Sequence, residues 1–277
     1  MRPGANPTVS YRIGALLHMV TASLVVGADG RGSVVRRCAA ITLHQQEAST
    51  CIAGLLMEGV SGADTHEVVT EHDFGSCLLL HQGAGRARAY HVVPLALRTR
   101  YVGDGGNARF LADATATGSP IAAALAHARP AGPCGVFPGT DNWTDQPYAG
   151  GVVPIGDAAG HNDPGIGCGL SIALRDARIV RDLVLTGARH AGDFAPYGVE
   201  RVERVERLRR LRLIADLVSP ATVEADAGRA TRRRRFSGAM ARMDSGICRL
   251  MLGMFAGPET IAADLADDVV LDRLRAA

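Results

Sequence analysis

Lysine is missing from this sequence: all 30 of its basic residues are arginine. Either residue keeps a surface soluble, so the bias reads as base composition of the gene and not as a function. Excess charge of one sign is missing too. Thirty basic residues face 28 acidic ones, and the net charge of +2 is too small to imply a polyanionic partner. The six cysteines, at positions 38, 51, 77, 134, 168 and 247, contain no C-x-x-C pair. That scatter supports neither a zinc site nor a disulfide framework, and it fits a reducing, cytoplasmic compartment. No run reaches the roughly 18 apolar residues of a membrane-spanning helix. The apolar stretch from Ile13 to Ala28 is interrupted by His18 and Thr21, which argues against a signal peptide. A nucleophile elbow, a P-loop and an H-E-x-x-H motif are all lacking, as is a G-x-G-x-x-G turn before Ser23.

What is present is a chain of 277 residues, 47% hydrophobic and 21% charged, which suits one large or two modest globular domains. Val9 to Arg12 and Leu16 to Val20 read as strands joined at Gly14. Ser23 to Val26 reads as a buried strand ending in the turn Gly27-Ala28-Asp29-Gly30, and Ser33 to Arg37 as a short helix. Between residues 50 and 100 the pattern is β: Cys51 to Glu58, Cys77 to His81 and Ala87 to Val93. The alternation from Arg86 to Val92 predicts one wet and one packed face. Ile121 to Ala128 reads as a short helix and Pro130 to Gly151 as a long connection carrying Phe137, Trp143 and Tyr148. Val152 to Ile155 is a strand that Pro154 marks as irregular or at an edge. Helices are predicted over Leu170 to Leu185 and Tyr197 to Leu217. The latter has apolar positions at 202, 205, 208 and 214, and basic positions at 201, 204, 207, 209 and 210 that read as a solvated face. Two more helices follow Ala221, separated near Gly257-Pro258. The run Arg232 to Arg235 reads as solvated surface and not as a nucleic-acid site.

The densest chemistry lies in GVVPIGDAAGHNDPGIGCGLSIALRDA, residues 151–177. A strand delivers Asp157 to a tight turn, where its carboxylate can accept hydrogen bonds from ribose or ribityl hydroxyls. Gly156, Ala158, Ala159 and Gly160 keep that turn small enough for a cofactor to approach the backbone. Pro164, Gly165, Gly167 and Gly169 then shape a narrow loop, and Leu170 opens a helix whose N-terminal end favours an anion or a carbonyl. The glycines miss G-x-G-x-x-G because position 170 is Leu. A second element, Gly27 to Ser33, offers Asp29 to orient a turn or a nucleotide hydroxyl and Arg31 to pair with phosphate. Arg36, Arg37, His161 and Asn162 lie close enough in sequence to face an anion, substrate or flavin.

These two segments resemble motifs of FAD-dependent aromatic monooxygenases of the para-hydroxybenzoate hydroxylase class. Leu24 to Arg36 (LVVGADGRGSVVR) is similar to the family's central Asp-Gly motif. Gly151 to Asp176 is similar to its later Gly-Asp motif and flavin-facing loop, and Phe137 to Trp143 to the approach to it. The resemblance implies an α/β fold with α+β elements. A partial FAD/NAD(P)-binding domain would occupy residues 1–40 and 141–190, an antiparallel-sheet substrate subdomain 41–140, and a helical C-terminal region 191–277. It implies FAD held by Asp157, Gly156, Ala158 and Pro164 to Leu170, with help from Asp29 and Arg31. It also implies NAD(P)H as reductant, molecular oxygen, and an aromatic or polyketide-like small-molecule substrate. Tyr90, Phe110 and Trp143 read either as lining residues of its pocket or as core packing. The family's first βαβ unit, with its G-x-G-x-x-G, does not appear before Pro7, so the resemblance implies a truncated chain of doubtful activity by itself, with a separately encoded N-terminal FAD-binding segment as one source of that unit. A flavin-dependent dehydrogenase or reductase, and a non-catalytic remnant or interaction protein, are the alternatives.

Overall fold

The computed structural model describes residues 1–62, 67–72, 75–116 and 120–218. The helices expected after Ala221 and the Arg232 to Arg235 run lie outside them, as do residues 63–64 of the turn that the sequence predicts over Gly59 to Asp64. In chain order the elements are β1 (Thr8–Ile13), β2 (Leu16–Thr21), β3 (Val25–Gly27), α1 (Val34–Cys38), β4 (His44–Gln45) and β5 (Thr50–Glu58). Next come β6 (Glu67–His72), β7 (Gly75–Gly83), β8 (Arg86–Pro94), α2 (Gly106–Thr115), α3 (Pro120–Leu125), β9 (Arg129–Pro130) and β10 (Gly135–Pro138). Then β11 (Asn142–Trp143), β12 (Val152–Pro154), α4 (Gly169–Leu185) and α5 (Ala195–Val218) complete the described chain. Residues 1–47 and 140–211 form one compact unit, and 48–139 with 212–218 belong to a second.

The second unit is an antiparallel sheet in the order β10-β5-β8-β7-β6, with β9 also on β5. Period-two alternation sets its inner face: Ala53, Leu55 and Met57 of β5 and Ala87, Ala89 and Val93 of β8 are fully buried. Phe110 and Ala114 of α2 and Ile121 of α3 pack into the same core. Two features depart from the sequence reading. Residues 106–115 form a helix that the sequence reading does not contain; Gly105, left-handed at φ 79°, is its N-cap residue. The Pro130 to Gly151 connection also contains β10, whose Phe137 pairs with Ile52. Of the two readings of Phe110 the structure has the core one: it is set edge-on to the buried His91, whose Nε2 lies 3.1 Å from the Phe110 carbonyl oxygen.

In the first unit, β3 and β12 pair in parallel, with Val25 opposite Val152, Val26 opposite Val153 and Gly27 opposite Pro154. β1 and β2 form a separate hairpin, with Ile13, Leu16, Leu17 and Met19 all more than 60% exposed. Val26 is also exposed, so β3 is less buried than its composition suggests. Ile172 and Val180 are buried on α4, and Val180, Ile179, Leu183 and Val184 pack with Val153, Phe194 and Tyr197 in one cluster. Leu174 falls off that stripe and is 63% exposed.

The solvated-face reading of α5 is overturned at its centre. Arg201 and Arg204 are 1% and 4% exposed, and Arg212 is buried as well. Both Arg201 and Arg204 pair with Asp176 of α4, which is itself fully buried, and that partner is what the helix's own sequence does not reveal. Trp143 is likewise held by neighbours of its own unit. It stacks on His44 at 5.4 Å between centroids, and the Arg209 guanidinium sits 3.4 Å from its ring centroid.

Candidate FAD site

Parallel pairing of β3 and β12 decides where the two chemical segments meet. Both strands end at the same edge, so the Asp29 loop and the Asp157 turn emerge side by side. Arg31 Nε lies 3.4 Å from Asp157 Oδ2, with both side chains about two-fifths exposed. Arg36 reaches across in the same direction and donates from Nη1 to the Ala158 carbonyl at 2.9 Å. It is buried, so neither a solvated helix nor an open anion contact describes it.

Asp29 organises its own loop. Its carboxylate accepts from Ser33 Oγ at 2.5 Å, Val34 N at 2.7 Å and Val35 N at 3.1 Å, while Ser33 Oγ accepts from Arg36 N. Together they close the N-terminus of α1. Burial pushes the Asp29 carboxyl up, but the hydrogen bonds from Ser33, Val35 and Val34 outweigh it and hold the group below the usual carboxylate range.

Gly156, Asp157, Ala158 and Ala159 form one 3₁₀ turn, with Gly156 and Ala158 buried and Asp157 turned outward. Gly156 needs its left-handed φ of 56°, and a Cβ there would meet Ala173 Cβ at 3.1 Å. Gly160, at φ 121°, lies against the Asn142 carbonyl, where a Cβ would collide. His161 then turns back: its Nε2 is 2.9 Å from Asn142 Nδ2 and 3.2 Å from Thr140 Oγ1. The Asn142 amide nitrogen also lies 3.3 Å from Nδ1, so the amide faces the edge of the ring. Burial and the Arg31 guanidinium, with Arg36 adding to them against Asp157, lower the His161 pKa and keep the ring neutral.

Pro164 and Gly165 form a second 3₁₀ turn. The Gly165 amide donates to Asp163 Oδ1 at 2.7 Å, and the Gly167 amide to the Pro164 carbonyl at 3.0 Å. These donors therefore shape the loop from within. What the loop presents outward is space: nothing lies within 4 Å of where a Cβ would stand at Gly167 or Gly169. Beside that space, Gly169 and Leu170 open α4, whose first-turn amides have no intrahelical acceptor. Leu170 is 73% exposed.

A family model described as "FAD binding domain" matches residues 4–211. The chain belongs to the FAD binding domain family. Among curated proteins no sequence matches this FAD binding domain. Its fold is similar to that of several solved flavoproteins. CmlS, a flavin-dependent halogenase, superimposes with a TM-score of 0.68 at 19% identity, covering 97% of this chain and 52% of that one. The OxyS anhydrotetracycline hydroxylase from Streptomyces rimosus gives 0.63 at 18%, covering 92% and 50%. The flavin-dependent brominase Bmp2 gives 0.61 at 17%, covering 74% and 54%. The FAD binding domain thus spans about half the length of these structures. Its donor set fits the cofactor: an open glycine cradle, a helix N-terminus and an outward carboxylate meet the needs of a polar dinucleotide.

Sequence reasoning singled out Asp157, Asp29 and the glycine loop as candidates, but not the residues behind them. Asp176, Asn142 and Thr140 lay inside the quoted stretches without a role of their own, and Arg201 read as solvated. Among the described residues there is no cluster of metal-ligating side chains, and no helix is long and apolar enough to cross a membrane.

Proposed function

We propose that this chain is the flavin-facing part of a FAD-dependent monooxygenase that hydroxylates an aromatic or polyketide-like small molecule. The observation that carries this reading is the meeting of the Asp29 loop and the Asp157 turn at one edge of the β3–β12 pair, bridged by Arg31. Asp157 holds hydroxyls of the ribityl chain, with Gly156 and Ala158 leaving room beside it. Pro164, Gly165, Gly167, Gly169 and Leu170 would border the ring system, with the first amides of α4 available to its polar groups. Asp29 acts by holding the loop that carries Arg31, and Arg31 balances negative charge next to Asp157.

Bound FAD supplies the redox chemistry, with NAD(P)H as the electron source and molecular oxygen as the acceptor that delivers one atom to substrate. The chain's own contribution is to bind, orient and exclude water. A substrate-facing role for the sheet is supported by its outer side. Tyr90 lies over Gly54, where a Cβ would come within 2.8 Å of its ring, and half-buried Ile52, Leu78 and Val92 surround it. The exposed apolar side chains of β1 and β2 support a further, separately encoded βαβ segment that completes the nucleotide site. Free thiols at Cys38, Cys51, Cys77, Cys134 and Cys168 fit a cytoplasmic protein.

The test is titration of the purified chain, alone and with such a segment, against FAD, followed by turnover of aromatic and polyketide substrates under labelled oxygen. Quenching of flavin fluorescence and label in the product support the proposal. Substrate reduction or oxidation without label replaces it with a dehydrogenase or reductase.

A further inference from the structure

The turn that offers Asp157 outward is gripped from behind by a buried charge cluster. Gly156 N donates to Asp176 Oδ2 at 2.8 Å. Arg201 Nε donates to the same oxygen at 3.0 Å, and Arg201 Nη2 donates to the Gly156 and Gly160 carbonyls at 3.2 and 2.9 Å. Arg204 Nη2 takes the other carboxylate oxygen at 2.6 Å and also reaches Glu200 at 3.0 Å. Asp176, Arg201 and Arg204 are all at least nineteen-twentieths buried.

A cluster of this kind is an inefficient way to fill a core. Taking the ions out of water costs free energy that hydrocarbon packing would not. The contacts made here are specific, however. One guanidinium bonds the backbone carbonyls at both ends of a five-residue turn, and the carboxylate that neutralises it bonds the amide at the first end. A planar fork with several donors can do this; an apolar side chain cannot.

We infer that Asp176 and Arg201 are positioning residues for the cofactor turn: they fix the backbone from Gly156 to Gly160 and thereby the direction of Asp157. This rests on the FAD reading of Asp157. It predicts that weakening the clamp degrades cofactor affinity through a backbone that no longer holds its shape.

The experiment compares the parent chain with Arg201→Met, Arg201→Lys and the double variant Asp176→Asn/Arg201→Gln. Three readouts are used: far-UV circular dichroism, deuterium uptake of the peptide containing Gly156 to Gly160, and FAD affinity by fluorescence quenching. Arg201→Met is expected to keep its secondary structure, take up deuterium faster in that peptide, and weaken FAD binding by about tenfold or more. Arg201→Lys keeps the charge but not the fork and is expected to fall between. The double variant keeps a donor toward the Gly156 and Gly160 carbonyls and an acceptor for the Gly156 amide, with Arg204 still paired to Glu200, so it is expected to bind FAD more tightly than Arg201→Met even if that single variant unfolds. A folded Arg201→Met with parental uptake at this turn, or with FAD affinity within about twofold of parent, overturns the inference. So does a double variant that binds no better than Arg201→Met. If the parent itself leaves FAD fluorescence unquenched, the FAD reading fails, while uptake at the turn still decides whether the clamp exists.

Discussion

Arg31 and Asp157, 126 residues apart in sequence, face each other at 3.4 Å between Nε and Oδ2. Both side chains are partly exposed, so the pair adds about 0–1 kcal/mol to stability. Its interest is functional: it ties the two loops that carry the expected cofactor contacts. Asp157→Ala should therefore leave the melting temperature nearly unchanged while weakening FAD binding by about 1.5–3 kcal/mol, the usual range for a hydrogen bond to a charged group. Equal FAD affinity and flavin spectra in the two proteins would remove Asp157 from the site.

Asp29 behaves in the opposite way. Its carboxylate is already engaged by Ser33, Val34 and Val35. Asp29→Ala should cost about 0.5–2 kcal/mol of stability, as other losses of a helix N-terminal acceptor do, and Asp29→Asn should recover most of it. Thermal melts of both variants check this. An unchanged melting temperature in Asp29→Ala would mean that Ser33 alone closes the helix.

The neutral ring of His161 makes a pH prediction. Its folded pKa lies below the ordinary value because of burial and the neighbouring Arg31 and Arg36. The unfolded chain thus binds the proton more readily, and stability rises with pH across the interval between the two values. Going down in pH, the His161 contribution begins to be lost below about 6.5 and declines until the folded pKa is passed. The hydrogen-bonded Asp29 adds a separate loss further into acid, because its folded pKa is also lowered. Denaturant melts from neutral to mildly acidic pH should show the first decline in the parent and a flatter profile in His161→Gln. A parental slope in that variant would assign the decline to another group.

Two glycines separate structure from binding. Gly156→Ala forces a side chain into left-handed backbone against Ala173 and should destabilise by about 1 kcal/mol or more. Gly167→Ala has a similar φ, 67°, but open space around it. It should cost about 1 kcal/mol for the backbone and, in addition, block the cradle. Normalised to folded protein, FAD affinity should fall at Gly167 more than at Gly156. The reverse order would move the cofactor away from that loop.

The burial of Cys77 permits a chemical check. Burial pushes its thiol up to about 12, and burial likewise raises Cys134 to about 11. Cys77 should resist a thiol reagent at neutral pH until the chain is unfolded, as read by mass spectrometry of the labelled peptides. Fast labelling of Cys77 in native buffer would contradict the packing of β7 on the core.

Local rules made much of this molecule legible. Alternation identified β8, a β-rich run identified β5, the short helix read from Ser33 to Arg37 is α1, and the strand–turn–helix around Asp157 survived almost residue for residue. What stayed hidden depends on partners distant in the chain. Nothing in the 106–115 stretch alone says that Phe110 will pack on His91. Nothing in α5 says that Arg201 will lie against a carboxylate on α4, because an arginine repeat reads as solvated whenever its counterion is elsewhere. The Asp29 and Asp157 segments were each recognisable, but their meeting followed from the register of β3 on β12.

The grip of Arg201 and Arg36 on opposite carbonyls of the Asp157 turn also bears on how quickly a ligand can settle there. A turn whose backbone bonds are already made has little configurational freedom left to surrender when a guest arrives. Association at this turn should then be limited by encounter and desolvation, with small ordering entropy. Differences in affinity among variants with an intact grip should appear chiefly as residence time.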